Sequence, residues 1–100
     1  MEAIDTGRSI ICYEKGIVAT WDNADNNCDA QFRAQICTFN QWRAVVCRVG
    51  TANPGRSWTS NVTGSASYAT VSGCTSDSVN TSFFNGQGLT GPCCIEYMKY

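Results

Sequence analysis

No histidine occurs anywhere in the chain. That absence removes the usual general base for a cysteine or serine nucleophile, and with it the commonest metal ligand. Charge is scarce too: seven Lys and Arg stand against eight Asp and Glu, with no block of one sign and a formal net charge of -1. A nucleic-acid partner or an anionic membrane calls for a basic patch, and the sequence shows none. No apolar run approaches the roughly 20 residues needed to cross a bilayer, so membrane insertion is not expected. The opening "MEAIDTGRS" lacks the basic and apolar regions of a signal peptide. The expectation is therefore a domain of a longer exported protein, or a particle component that reaches the outside with its assembly.

Cysteine is what the chain has in excess. Seven in 100 residues lies close to the range of disulfide scaffolds. One hundred residues fit one domain and bury roughly 65% of the unfolded surface, a core with little margin. Three bridges with one thiol left over can be drawn in about 105 ways, so spacing alone does not give the connectivity. Zinc would want close pairs such as Cys-x-x-Cys, and Cys28, Cys37 and Cys47 are too widely spaced. A thioredoxin-like motif is missing for the same reason. "WDNADNNCD" is rich in oxygen ligands, with Asp22, Asp25 and Asp29. A calcium loop also needs a glycine turn and a bidentate acid at fixed offsets, so the stretch reads as a helix cap and a solvated face. No metal or cofactor is assigned, and the chain does not read as an enzyme.

Residues 9–13, "SIICY", read as a strand, and "GIVATW" at 16–21 continues as extended chain. Asp22 or Asn23 is placed to cap a helix whose apolar stripe is Ala24, Cys28 and Phe32. "AQIC" is a short extended link. Thr38 stands three residues before Gln41, a capping box that opens a second helix. Its buried face would be Phe39, Trp42, Val45, Val46 and Val49, with Gly50 as terminator. Residues 50–92 are rich in Gly, Ser, Thr and Asn, which suits short strands joined by long loops. "SWTSNV" and "SYATVSGC" read as a hairpin, "FFNGQGLTGP" as mostly loop and "CCIEYMKY" as a closing strand. The fold class is α+β: a single Cys-rich domain over 9–100, with residues 1–8 as a linker or appended segment.

"CYEKGIVATWDNADNNCDAQFRAQICTFNQWRAVVC", a following tryptophan region, "GC" and a terminal "CC" together resemble a Cys-rich module of bacterial and phage surface proteins, tail fibres and adhesins among them. Its helix–helix–loop–strand order is similar to the C-type-lectin-like fold, shared in outline with formylglycine-generating-enzyme-like domains. The likeness spans about residues 10–97 and rests on the Cys-Thr-x-x-Gln-Trp element and the closing cysteine pair. It implies a small disulfide-braced domain of two helices, short antiparallel strands and long loops. Cys93 and Cys94, adjacent on a strand, leave on opposite faces, so each needs a distant partner. The resemblance implies Cys28 with one of them and Cys74 with the other. It does not carry calcium-dependent sugar binding, because "ANPG" at 52–55 has Ala where that motif needs a carboxylate.

In lectin-like folds the segment between the second helix and the last strand presents the binding face. Carried over, this implicates Arg56, Trp58, Asn61, Tyr68, Phe84, Asn85 and Gln87, aromatics and amides suited to stacking and adaptable hydrogen bonds. Trp58 also suits the core beneath the loops, and of Phe83 and Phe84 only one faces inward if the chain is extended. The implied function is recognition of a cell-surface glycan or protein receptor, without calcium, by the tip of a phage fibre or bacterial surface protein. That places the domain outside the cell, on a surface or a virion. The other reading is a structural cap or assembly domain that forms a homo-oligomer. Under non-reducing conditions, intact mass should lie about 6 Da below the reduced value, for three disulfides. Seven free thiols in native protein would contradict the extracellular assignment.

Overall fold

The computed structural model describes residues 1–83 and 87–99. Strands β1 (Glu2–Asp5) and β2 (Ser9–Ala19) lead into helix α1 (Trp21–Phe32) and the short strand β3 (Gln35–Ile36). Helix α2 (Phe39–Arg43) widens into a π-helical segment, Ala44–Val49. Strands β4 (Ser57–Gly64), β5 (Ser67–Val71) and β6 (Val79–Phe83) follow, and β7 (Leu89–Met98) closes the chain. The protein is a small α+β domain built on one mixed sheet in the order β1-β2-β7-β4-β5-β6, with β3 also pairing to β7. All pairings are antiparallel except the single parallel bridge between Ser57 of β4 and Thr90 of β7.

The last strand therefore lies in the middle of the sheet, and its alternation organises the core. Cys93 belongs to one buried cluster with Ala24, Cys28, Ile36 and Trp58. Cys94 belongs to another with Ile11, Tyr13, Cys37, Trp42 and Val45. Helix α1 thus covers one face of β7, while α2 and the π-helical segment cover the other. Burial holds the Tyr13 phenol above its usual range, with Glu14 and Glu2 adding to the effect.

Both terminal cysteines reach distant partners, as their adjacency requires. The bridges are Cys28–Cys93, Cys37–Cys94 and Cys47–Cys74, with Cα separations of 5.3, 4.8 and 5.8 Å. Closing loops of these lengths restricts the unfolded chain by roughly 3.5–4.5 kcal/mol each in the chain-entropy description. The expected pairing of Cys74 with a terminal cysteine is corrected. Strand β5, which leads to Cys74, is separated from β7 by β4, about 10 Å away at normal strand spacing and beyond disulfide reach. Cys37 directly follows β3, and its N–H donates to the Pro92 carbonyl (2.9 Å), which sets it beside Cys94. Cys74 instead joins the π-helical segment at Cys47. Cys12 is the free cysteine, half-buried on β2.

Two glycines make the close packing possible. Gly16 has φ of 77° at a bulge in β2, and a Cβ there would collide with the Gly91 carbonyl. A Cβ on Gly91 would in turn strike Ala24 of α1. Pro92 lies opposite the same interruption, where β2 skips from Glu14 to Ile17 and a missing N–H costs least.

The capping box forms as expected: Thr38 Oγ1 accepts from the Gln41 N–H (3.0 Å) and Gln41 Oε1 from the Thr38 N–H (2.9 Å). Trp42, Val45 and Val46 are buried, but Val49 is 46% exposed. The wider π turn takes it off the 3.6-residue stripe before Gly50, at φ of 89°, ends the helix. The cap of helix α1 is Thr20, two or three residues before the expected Asp22 or Asn23, and its side chain makes no capping bond.

Residues 1–8 are not merely a lead-in: β1 pairs with β2 and places Ile4, 4% exposed, in the core beside Ile11. The long loops expected after residue 50 are in large part strands, including β6, and β7 begins at Leu89 rather than at Cys93. Trp42→Ala should cost roughly 3–5 kcal/mol by chemical denaturation, since it empties the centre of the α2-side core. Thr38→Ala should cost about 1 kcal/mol through the cap. Wild-type stability in Trp42→Ala would contradict this packing.

Candidate functional site

A two-residue turn at Ser65–Ala66 joins β4 to β5, and β6 adds to β5 in regular register. Val62, Tyr68 and Ser82 therefore lie in one row across three strands, with Thr70 and Asn80 forming another. On the α1 side of this meander, Tyr68 is half-buried and stacks on Trp21, with ring centroids 4.0 Å apart and planes 5° from parallel. Trp21 is itself fixed, because its Nε1–H donates to the Thr59 carbonyl at 3.0 Å. A shallow cavity of about 350 Å³ opens beside the pair, between Asp22, Val62 and the Ser65–Ser67 turn.

Ser82 gathers the polar side chains of the same face. Arg56 Nη2 donates to Ser82 Oγ (3.1 Å) and to Thr70 Oγ1 (3.4 Å), and Gln87 Nε2 donates to Ser82 Oγ (2.9 Å). With both lone pairs of its oxygen engaged, the Ser82 hydroxyl keeps its own proton for an incoming acceptor. The Arg56 guanidinium forms no salt bridge among the described residues, leaving further donors exposed. Chemically the face offers a rigid aromatic pair, one cation and a hydroxyl donor side by side. Acid–base or nucleophilic chemistry has no histidine to serve it here.

Of the residues implicated from sequence, Arg56, Tyr68 and Gln87 are brought together around Ser82. Two are not. Trp58 is fully buried beneath α1, and its Nε1–H donates to the Ala19 carbonyl at 2.9 Å. Asn61 turns toward α2, where its Oδ1 accepts from the Phe39 N–H at 2.8 Å. Trp58 shares this face through its pairing with Thr70 but is covered by α1, and Asn61 is engaged with α2, so neither is open to a ligand. Phe84 and Asn85 lie outside the described residues. Phe83 is 67% exposed, on the opposite face of the sheet in the row of Ser67.

Sequence reasoning missed Trp21 and Ser82. In the sequence Trp21 reads as the end of an extended segment, and its stacking on Tyr68 emerges only in the folded chain. Asp25 of the acidic run accepts weakly from the Ile36 N–H (3.4 Å), while Asp22 and Asp29 are exposed. Among the described residues no three His, Cys, Asp or Glu side chains are grouped to hold a metal ion. No described helix is long and apolar enough to cross a membrane.

Comparison with protein families, curated proteins and solved structures finds no match to this chain. The C-type-lectin-like resemblance thus stays an expectation, and the site stands on its own geometry. Tyr68→Ala should uncover Trp21 and red-shift the tryptophan emission, since Trp42 and Trp58 are fully buried. The lost stacking should cost about 0.5–1.5 kcal/mol beyond the buried area. An unchanged spectrum would mean that the pair does not form.

Proposed function

We propose that this domain is an extracellular recognition module that binds a cell-surface glycan or protein receptor, without calcium and without catalysing a reaction. Three disulfides suit an oxidising, extracellular or secreted setting. The observation that carries the reading is the convergence of Arg56, Tyr68 and Gln87 with Trp21 and Ser82 on one sheet face. Rigid aromatics supply contact area at small entropic cost, and hydroxyl, amide and guanidinium groups supply directional bonds. A receptor-binding or adhesive tip of a phage fibre or bacterial surface protein is the parent that best suits such a module. Binding then falls to the β4–β6 sheet and the start of α1, rather than to long loops.

One observation favours assembly as a second reading. Strand β6 is an edge of the sheet, carries no charge or proline, and exposes Val79 and Phe83. An unguarded edge of that kind is a template for pairing with another chain.

Arg56→Ala, Tyr68→Ala and Gln87→Ala should each lose adsorption to host cells or glycan and receptor arrays. Melting temperature should fall by no more than about 4–8 °C in Arg56→Ala and Gln87→Ala, as expected for about 1 kcal/mol, and further in Tyr68→Ala, which also loses its stacking on Trp21. Chelator should leave adsorption unchanged. Retained binding in all three variants, or a chelator effect, would sink the recognition proposal. A tight oligomer in light scattering that dissociates on Phe83→Lys would favour assembly.

A further inference from the structure

A cavity of about 570 Å³ lies on the opposite side of the sheet from the aromatic face. Its walls are the β1–β2 turn (Thr6, Arg8, Ser9), the α2 and π-helical stretch (Gln41, Arg48) and the outer part of β7 (Glu96). We propose that this cavity binds a small molecule carrying a carboxylate beside a hydrogen-bond donor, either hydroxyl or ammonium.

The lining is built rather than incidental. Ser9 is almost fully buried, and its hydroxyl donates to Glu96 Oε2 (2.5 Å). Gln41 Nε2 donates to Glu96 Oε1 (3.1 Å), and Gln41 is itself locked by the capping box with Thr38. The turn on the other wall is tied by Thr6, whose Oγ1 accepts from the Ser9 N–H (3.2 Å) and donates to the Ser9 carbonyl (3.1 Å). Glu96 is thus aimed from two sides, with one donor on each oxygen. A carboxylate accepts about four hydrogen bonds, so acceptor capacity is left for a ligand donor.

Arg8 and Arg48 line the same cavity, and neither forms a salt bridge among the described residues. Two cations and one anion share the space without pairing with one another. The cavity is therefore net positive in a protein of net charge -1. A ligand with only an anionic group would meet repulsion from Glu96, and one with only donors would leave both guanidiniums unused. A molecule with both satisfies all three, and the charge-assisted bonds to arginine are the stronger part. Two ligand types share this chemistry: an acidic amino acid such as glutamate, and a sugar acid such as glucuronate.

The test is an amide NMR titration of the oxidised protein with glutamate, glucuronate, acetate and glucose. At least one of the two double-headed ligands should shift Gln41, Arg48 and Glu96 saturably. It should bind at least about tenfold more tightly than acetate or glucose, the size of one charge-assisted hydrogen bond. Which of them does so tells the amino-acid source from the sugar source. Arg48→Ala should weaken that ligand about tenfold or more at unchanged melting temperature, and Arg48→Lys should recover part of the loss. Glu96→Gln should strengthen acetate while erasing the advantage of the double-headed ligand. The proposal falls if neither ligand exceeds acetate, which would mean an adventitious anion only, or if Arg48→Ala leaves binding unchanged. Because the readout uses residues outside the aromatic face, failure here is independent of the recognition reading.

Discussion

Two neighbouring cysteines on the central strand are the constraint on which the rest of the domain depends. A strand sends successive side chains to opposite faces, so Cys93 and Cys94 present one sulfur to each side of the sheet. Cys28 of α1 takes the first and Cys37, just before α2, takes the second. Each layer of the core is fastened to the same short piece of backbone. The Gly16–Gly91–Ala24 stack answers the same constraint, because α1 must approach closely for its bridge to close. For a chain with little core to spare, this is an economical way to order three layers.

The position of those rivets also determines what is left uncovered. Helix α1 packs chiefly on β2, β3 and β7, so β5 and β6 run out beyond it. Its first residue, Trp21, reaches the outer strands and meets Tyr68 there. The exposed face is thus a consequence of the covalent layout. The third bridge, Cys47–Cys74, ties the end of the π-helical segment to the loop before β6. It braces the meander from the far side without covering it.

Much of the helical half was legible in the sequence because its signals are local. The Thr38–Gln41 box, the Ala24–Cys28–Phe32 stripe and the Gly50 stop each act within a turn or two of chain. The sheet was less legible because its determinants are not local. Strand β1 is four residues long and gains its identity only by pairing with β2. Strand β6, "VNTSF", has no apolar alternation and is ordered by β5. The same distinction separates the site residues. Arg56, Tyr68 and Gln87 were implicated through the lectin-like resemblance and the make-up of that segment, yet what unites them is Ser82, a residue with no signal of its own. Trp58 and Asn61 share that composition, but they turn inward to Ala19 and to the first turn of α2.

The central claim is that adjacent cysteines fasten the two helical layers to one strand. Disulfide mapping of non-reduced protein, with fragmentation that separates the Cys93 and Cys94 sulfurs, tests it most directly. The account predicts a cluster in which Cys93 carries the Cys28 peptide and Cys94 the Cys37 peptide. Cys47–Cys74 should appear as a separate pair, with Cys12 unmodified. A bridge from Cys74 to either terminal cysteine would contradict it.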